Sequence, residues 1–213
     1  MVTAGIVCEY NPFHRGHLNQ FHRTRQALGA DTAIVCVMSG SYVQRGEPAV
    51  FDKLVRARAA VDCGANLVLE LPLGACLSSA EGFAAGGVEL LDRLGVADFL
   101  SFGCESPDPA ALDRAAECLL SQAFPQALRR RLDQGMPFAA ARQQAVEDLC
   151  GLGDLLTKPN NILAVEYCKA LKKLDSRIRP LALPRPGAYH DTDRIDPENP
   201  SAAAVRRLLL TGQ

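Results

Sequence analysis

Four short runs rich in apolar and β-branched residues, at Ala4–Glu9, Thr32–Met38, Asn66–Leu71 and Ala97–Phe102, alternate with amphipathic helical patterns. No other feature of the chain constrains its fold as much. The runs are near-continuous in hydrophobicity, as expected of parallel strands covered on both faces. His17–Leu28, Asp52–Cys63 and Ala80–Leu94 supply the crossover helices, with Gly29, Gly64 and Gly95 where C-caps belong. Such a βαβαβαβ series predicts an α/β fold built on a doubly wound parallel sheet. Its ligand is then expected outside the carboxyl ends of the strands, near the point where strand order reverses. After Pro107 the pattern turns helical, at Pro109–Gln122, Pro125–Gln134, Pro137–Leu149 and Asn161–Leu174, with Pro109, Pro125 and Pro137 each suited to a first turn. The segment 109–157 reads as a helical insertion packed beside the sheet, within a single domain spanning 1–213. Ile178–Leu183 reads as a late strand and Arg185-Pro186-Gly187 as a turn across the site. A last helix is expected from Ser201, a sensible N-cap, to Leu210.

The first run passes straight into Glu9-Tyr10-Asn11-Pro12-Phe13-His14-Arg15-Gly16-His17. An H-x-G-H where a strand becomes a helix has a physical purpose. Backbone N–H groups at a helix start lack internal partners and attract phosphate. His14 and His17 flank that start and can hydrogen-bond phosphoryl oxygens as charge develops during displacement at phosphorus. Gly16 keeps a side chain out of the way, Pro12 stiffens the loop and Asn11 suits a turn.

The H-x-G-H loop resembles that of the nucleotidylyltransferase superfamily, whose members attack the α-phosphate of a nucleoside triphosphate and release pyrophosphate. Further segments narrow the likeness: Ser39-Gly40 followed by Gln44-Arg45-Gly46-Glu47-Pro48-Ala49, then Glu70-Leu71-Pro72, Ala80-Glu81-Gly82-Phe83-Ala84, Phe102-Gly103-Cys104-Glu105, Pro159-Asn160-Asn161-Ile162-Leu163 and Ser201-Ala202-Ala203-Ala204-Val205-Arg206. Together they resemble the bacterial tRNA(Met) cytidine acetate ligases over nearly the whole chain. That resemblance implies a Rossmann-like nucleotidylyltransferase fold. It also implies an enzyme that uses ATP and acetate to make acetyl-adenylate, then acetylates N4 of the wobble cytidine in elongator tRNA(Met). Carried over position by position, the ATP site takes in Val7, Glu9, Tyr10, Asn11, Pro12, Phe13, His14, Gly16, His17 and Gln20. It continues with Gly103 after the fourth strand, Asn160 or Asn161, Arg185, Ser201 and Arg206. His14 and His17 carry the catalytic role, and Mg²⁺ is expected to ride on the triphosphate because no carboxylate cluster offers a protein-held metal site.

Two departures from the family pattern stand out. Ala203 occupies the threonine position of S-A-T-x-x-R, which removes one hydroxyl near the triphosphate. The family's chains also continue into a C-terminal region that helps hold tRNA, whereas this sequence stops at Gln213. That region is therefore expected to be absent, leaving adenylate formation easier to defend than acetyl transfer to RNA. Two other readings keep the fold: a nucleotidylyltransferase with another small acceptor, and a shortened nucleotide-binding relative without catalysis.

Ser39, Gln44 and Arg45 lie in a loop, 39–51, that is long for an α/β connection, and such loops tend to be functional. Arg45 could neutralise a triphosphate, grip acetate in bidentate fashion, or pair structurally with Glu47. Glu9 and Glu70 end buried-looking strands and need partners, so both are expected to brace. His22 reads as packing or solvent, and His190, beside Asp191 and Asp193, as part of a polar loop.

Composition adds exclusions. Residues 1–153 carry 13 basic and 17 acidic side chains and 154–213 carry 10 and 7, so the balance shifts from −4 to +3. The basic end could meet RNA, yet it lacks the dense positive face of a nucleic-acid binder. Arg129-Arg130-Arg131 is expected to be a solvated face. The eight cysteines contain no C-x-x-C pair and read as small buried hydrophobes, with Cys104 the one to watch for reactivity. No run approaches the roughly 18 apolar residues of a membrane helix, and a strand-like start without a signal core suggests the cytoplasm.

Overall fold

The computed structural model describes residues 1–185 and 202–211. Five strands, β1 (Thr3–Cys8), β2 (Ala33–Ser39), β3 (Leu67–Leu71), β4 (Phe99–Cys104) and β5 (Arg179–Pro184), form a parallel sheet in the order β3-β2-β1-β4-β5. Strand order reverses between β1 and β4, so their carboxyl ends flank the crevice typical of doubly wound sheets. Helices α1 (Arg15–Leu28), α2 (Lys53–Asp62), α3 (Leu73–Cys76) and α4 (Ala80–Leu94) make the crossovers. The short α3 has no counterpart in the sequence pattern, nor does the 3₁₀ turn at Gly153–Thr157.

Side-chain alternation along the strands assigns them to two cores. Ile6 and Cys8 of β1 and Ile34, Cys36 and Met38 of β2 pack with Phe21 of α1 and Ala60 of α2 on one face. Val35 and Val37 point to the other, where Leu100, Phe102, Phe83, Val88 and Leu91 lie. That second core continues without a break into α5 (Pro109–Leu120), α7 (Phe138–Cys150) and α8 (Pro159–Lys173), through Leu112, Val146 and Val165. Helix α6 (Phe124–Asp133) packs on α7. The helices of 109–157 thus share the sheet's core.

The expectation of strands covered on both faces fails for β3. It is the edge strand, Leu67 is 39% exposed, and Glu70 lies at the surface, 2.7 Å from Lys53 Nζ. A strand paired on one side only keeps a solvent margin, which sequence periodicity does not register. Gly103 lies inside β4 rather than after it, because pairing with β5 runs on through Gly103↔Leu183 and Cys104↔Pro184.

Helix α4 approaches β1 closely through Gly87, where an added Cβ would sit 2.6 Å from Val7 Cγ2. Gly87→Ala is therefore expected to cost about 1–3 kcal/mol by overpacking. Gly74→Ala, in open space in α3, should be neutral or stabilising by about 0.5–1 kcal/mol. Urea denaturation of both checks this, and equal midpoints would mean that α4 yields freely.

Candidate active site

The loop from Glu9 to His14 joins β1 to α1 and is tied down side chain by side chain. Tyr10 takes a positive φ of 47° and is buried, its hydroxyl 3.3 Å from Cys36 Sγ and its ring against Phe13 and Phe21. The Asn11–Pro12 peptide is cis. Asn11 Oδ1 accepts from Val50 N at 2.8 Å, and its carbonyl accepts from Arg206 Nη1 at 2.8 Å. Arg206 belongs to α9 (Ala202–Thr211), which is thereby pinned to the loop. The side chains of Tyr10 and Asn11 thus serve the loop itself, and Arg206 holds a carbonyl. Val7 packs against Gly87, and Gln20 Nε2 donates to Ser101 O at 3.2 Å.

The two histidines form a reciprocal cap. His14 is the N-cap of α1, and its Nδ1 accepts from Gly16 N at 3.1 Å. His17, at the third helical position, accepts with its own Nδ1 from His14 N at 3.2 Å. This is a capping box built from imidazoles in place of Ser/Thr and Glu. It explains why α1 begins at Arg15, two residues earlier than expected from the apolar pattern. An Nδ1 that accepts carries no proton, so each neutral ring keeps its hydrogen on Nε2. The rings stack with centroids 3.8 Å apart, and a Cβ at position 16 would lie 2.9 Å from His14 Cε1. Gly16 is needed for that stack.

Burial, then the charge of Arg185, pushes the His14 imidazole down to about 4. For His17, burial, His14 and Arg185 together lower it well below its usual range. Both rings are therefore neutral Nε2–H donors at pH 7. Between pH 6.5 and about 4 the unfolded chain binds a proton at His14 that the folded chain refuses. Stability from this source is intact above that window and falls as pH drops through it, by at most about 3 kcal/mol. In urea denaturation, wild type should lose more stability than His14→Gln between pH 7 and 4.5. An equal loss would mean that His14 is protonated in the fold.

Across the crevice, the end of β4 supplies a second wall. Arg185 follows β5, its N–H donates to Cys104 O at 2.9 Å, and its side chain lies over Gly103, 3.7 Å from where a Cβ would be. Arg185 Nη1 donates to Asn160 Oδ1 at 3.1 Å. Asn160 and Asn161, equivalent in the sequence reading, separate here. Asn160 faces Arg185, whereas Asn161 is 1% exposed and its Oδ1 accepts from Glu105 N and Ser106 N, both at 2.9 Å. Asn161 is a loop brace.

The 39–51 loop folds on itself through Val43 N to Glu47 O (3.0 Å) and Gly46 N to Val43 O (2.8 Å). Glu9, expected to brace the histidine loop, instead braces this one, accepting from Gln44 N at 2.6 Å. Arg45 is exposed and forms no ion pair with Glu47 among the described residues. Ser39 is fully buried beside Cys76, so its hydroxyl is not presented to a small acid. The residue that sequence reasoning missed is Arg56, 1% exposed. Its guanidinium donates to Glu9 O at 2.5 Å, Phe51 O at 3.1 Å and Gly40 O, joining three loops. Arg56 and Ala60 lie one turn apart on the inward stripe of α2 while the apolar Leu54 is 72% exposed, so the apolar pattern of this helix gave no signal for it.

Cys104 is buried, and burial followed by Glu105 pushes its thiol up to about 11, which argues against reactivity. Arg129 pairs with Asp133 and Arg131 with Asp148, so that stretch is a paired surface. His22 is exposed. Among the described residues no group of three His, Cys, Asp or Glu could hold a metal, and no helix is long and apolar enough to cross a membrane. Ser201, Pro186, Gly187, His190, Asp191 and Asp193 lie outside the described residues.

Comparison with known proteins places this geometry. The family model described as HIGH Nucleotidyl Transferase matches residues 1–213. The chain is 45% identical over 221 residues to a tRNA(Met) cytidine acetate ligase of Syntrophotalea carbinolica, covering 100% of this chain and 52% of that protein. It is 38% identical over 217 residues to the ligase of Acetivibrio thermocellus, covering 99% and 52%. Apo Thermotoga maritima TmcAL superposes with a TM-score of 0.92 at 37% identity, covering 100% of this chain and 52% of that one. TmcAL bound with alpha-thio ATP gives 0.87 at 37%, covering 99% and 51%. The chain spans about half the length of the curated relatives it matches.

Proposed function

Because the chain belongs to the HIGH nucleotidyl transferase family, we propose that it binds ATP at the β1–β4 crevice and activates acetate as acetyl-adenylate. The acetyl group is destined for N4 of the wobble cytidine in elongator tRNA(Met). The stacked His14–His17 pair at the start of α1 carries this reading. Both rings keep an Nε2–H for phosphoryl oxygens, and neither has to shed a proton first.

In the reaction an acetate oxygen attacks the α-phosphorus, the bond to the β-phosphate oxygen breaks, and pyrophosphate leaves. Little covalent chemistry is asked of the protein, which instead places and stabilises. His14 and His17 donate to oxygens that gain charge, the positive end of α1 adds to them, and Arg185 supplies a full charge. Gly103 leaves room beneath Arg185. Mg²⁺ would be carried on the triphosphate and offset its charge, while His14, His17 and Arg185 would hold the phosphates. In the second half-reaction the cytidine amine attacks the acetyl carbon and AMP leaves. Elongator tRNA(Met) is the partner proposed for that step, and the cytoplasm, where ATP and tRNA meet, is the proposed compartment.

The test is pyrophosphate release by the 213-residue chain from Mg-ATP with and without acetate. Acetate-dependent release is expected. Release that needs a phosphomonoester instead would reassign the acceptor, and ATP binding without release under any condition would leave a nucleotide-binding protein without this chemistry.

A further inference from the structure

We propose that Glu105 is a positioning residue of this site: through the Asn160 carboxamide it holds the Arg185 guanidinium over Gly103, beside the histidine pair. Its two oxygens are both committed, Oε1 accepting from Asn160 Nδ2 at 2.7 Å and Oε2 from Asn161 N at 2.9 Å. The chemistry of that pairing sets a direction. An ionised carboxylate can only accept, so it makes the Asn160 amide present its NH₂ inward and turn its oxygen outward. The outward oxygen is the one that accepts from Arg185 Nη1 at 3.1 Å.

The support is rigid at its base. Lys158, the N-cap of α8, makes no side-chain cap, and Glu105 caps that helix from another element. In return Asn161 Oδ1 holds the backbone N–H groups of Glu105 and Ser106. The carboxylate therefore cannot swing without breaking bonds in both directions. Direct electrostatics would make Glu105 a hindrance, since a carboxylate near an anion site repels a triphosphate. The relay gives it the opposite role. This role rests on the nucleotide reading above only in the binding measurement that follows.

Mg-ATP binding to the 213-residue chain is measured by calorimetry. Glu105→Gln, which frees the amide to flip, is expected to weaken binding about tenfold, and Asn160→Ala, which leaves the α8 cap in place, similarly. In an Arg185→Ala background either change should add less than about twofold. Equal losses in both backgrounds, or tighter binding by Glu105→Gln, would overturn the proposal. A nucleotide-free arm follows the His14 titration by NMR. Release of Arg185 in Glu105→Gln should raise the His14 midpoint, whereas loss of a negative charge alone would lower it. Absence of a rise overturns the proposal, while absence of binding heat in wild type overturns the nucleotide reading, so the two failures are told apart.

Discussion

Replacement of Arg56 by Met is expected to lower stability by about 3–5 kcal/mol, a large fraction of what holds a domain of this size. The side chain is 1% exposed and its guanidinium donates to the carbonyls of Glu9, Gly40 and Phe51. Met fills much of the same volume, so the loss isolates the hydrogen bonds. The buried Gly40 carbonyl and the part-buried Glu9 and Phe51 carbonyls would lose this donor, at about 1–3 kcal/mol for each that no water reaches. Arg56→Lys, with a point charge instead of a planar fork, should recover only part of this. Urea denaturation with the slope held constant gives the comparison. A Met variant within about 1 kcal/mol of wild type would mean that water substitutes for the guanidinium. The three carbonyls belong to the end of β1, the end of β2 and the approach to α2, so the same substitution should loosen the loops that frame the crevice.

His14→Ala is expected to reduce acetate-dependent pyrophosphate release about 100- to 1,000-fold, the range seen when one preorganised donor is removed from a site of developing charge. Alanine also deletes the N-cap of α1, worth about 1 kcal/mol. His14→Asn separates the two effects, because Asn is a good N-cap but has no Nε2–H. The Asn variant should melt near wild type and remain impaired in turnover. Normal turnover in His14→Asn would show that capping, not donation to phosphate, is the histidine's part. His17→Ala should be comparable, since the rings stack and each accepts from the other's segment.

The H-x-G-H spacing was legible because it coincides with a local geometric rule. The N-cap and the third helical position are three residues apart, so two acceptors at those places can cap each other within one turn. Gly16 is readable for the same reason, sitting under its neighbour's ring. Tyr10 and Asn11 were less transparent. A polar side chain in a loop reads as available for ligand until the partner is known, and Val50, 39 residues on, is what engages Asn11. Asn160 and Asn161 show the same limit, as adjacent identical residues on successive positions of one helix point about 100° apart. Only their surroundings tell a brace from a residue of the site.

The sequence by itself determined the alternation of strands and helices, the parallel sheet, and the placement of the histidine loop at the end of β1. Each follows from periodicity or from residues within one helical turn of each other. Tertiary structure alone decided that β3 lies at an edge, that Arg56 is buried, and that Glu105, Asn160 and Arg185 form one chain of hydrogen bonds. Those bonds join residues 55 and 25 positions apart. Hydrogen bonds between distant residues leave no period in a sequence, and the burial of a charged side chain depends on what the rest of the chain brings to it.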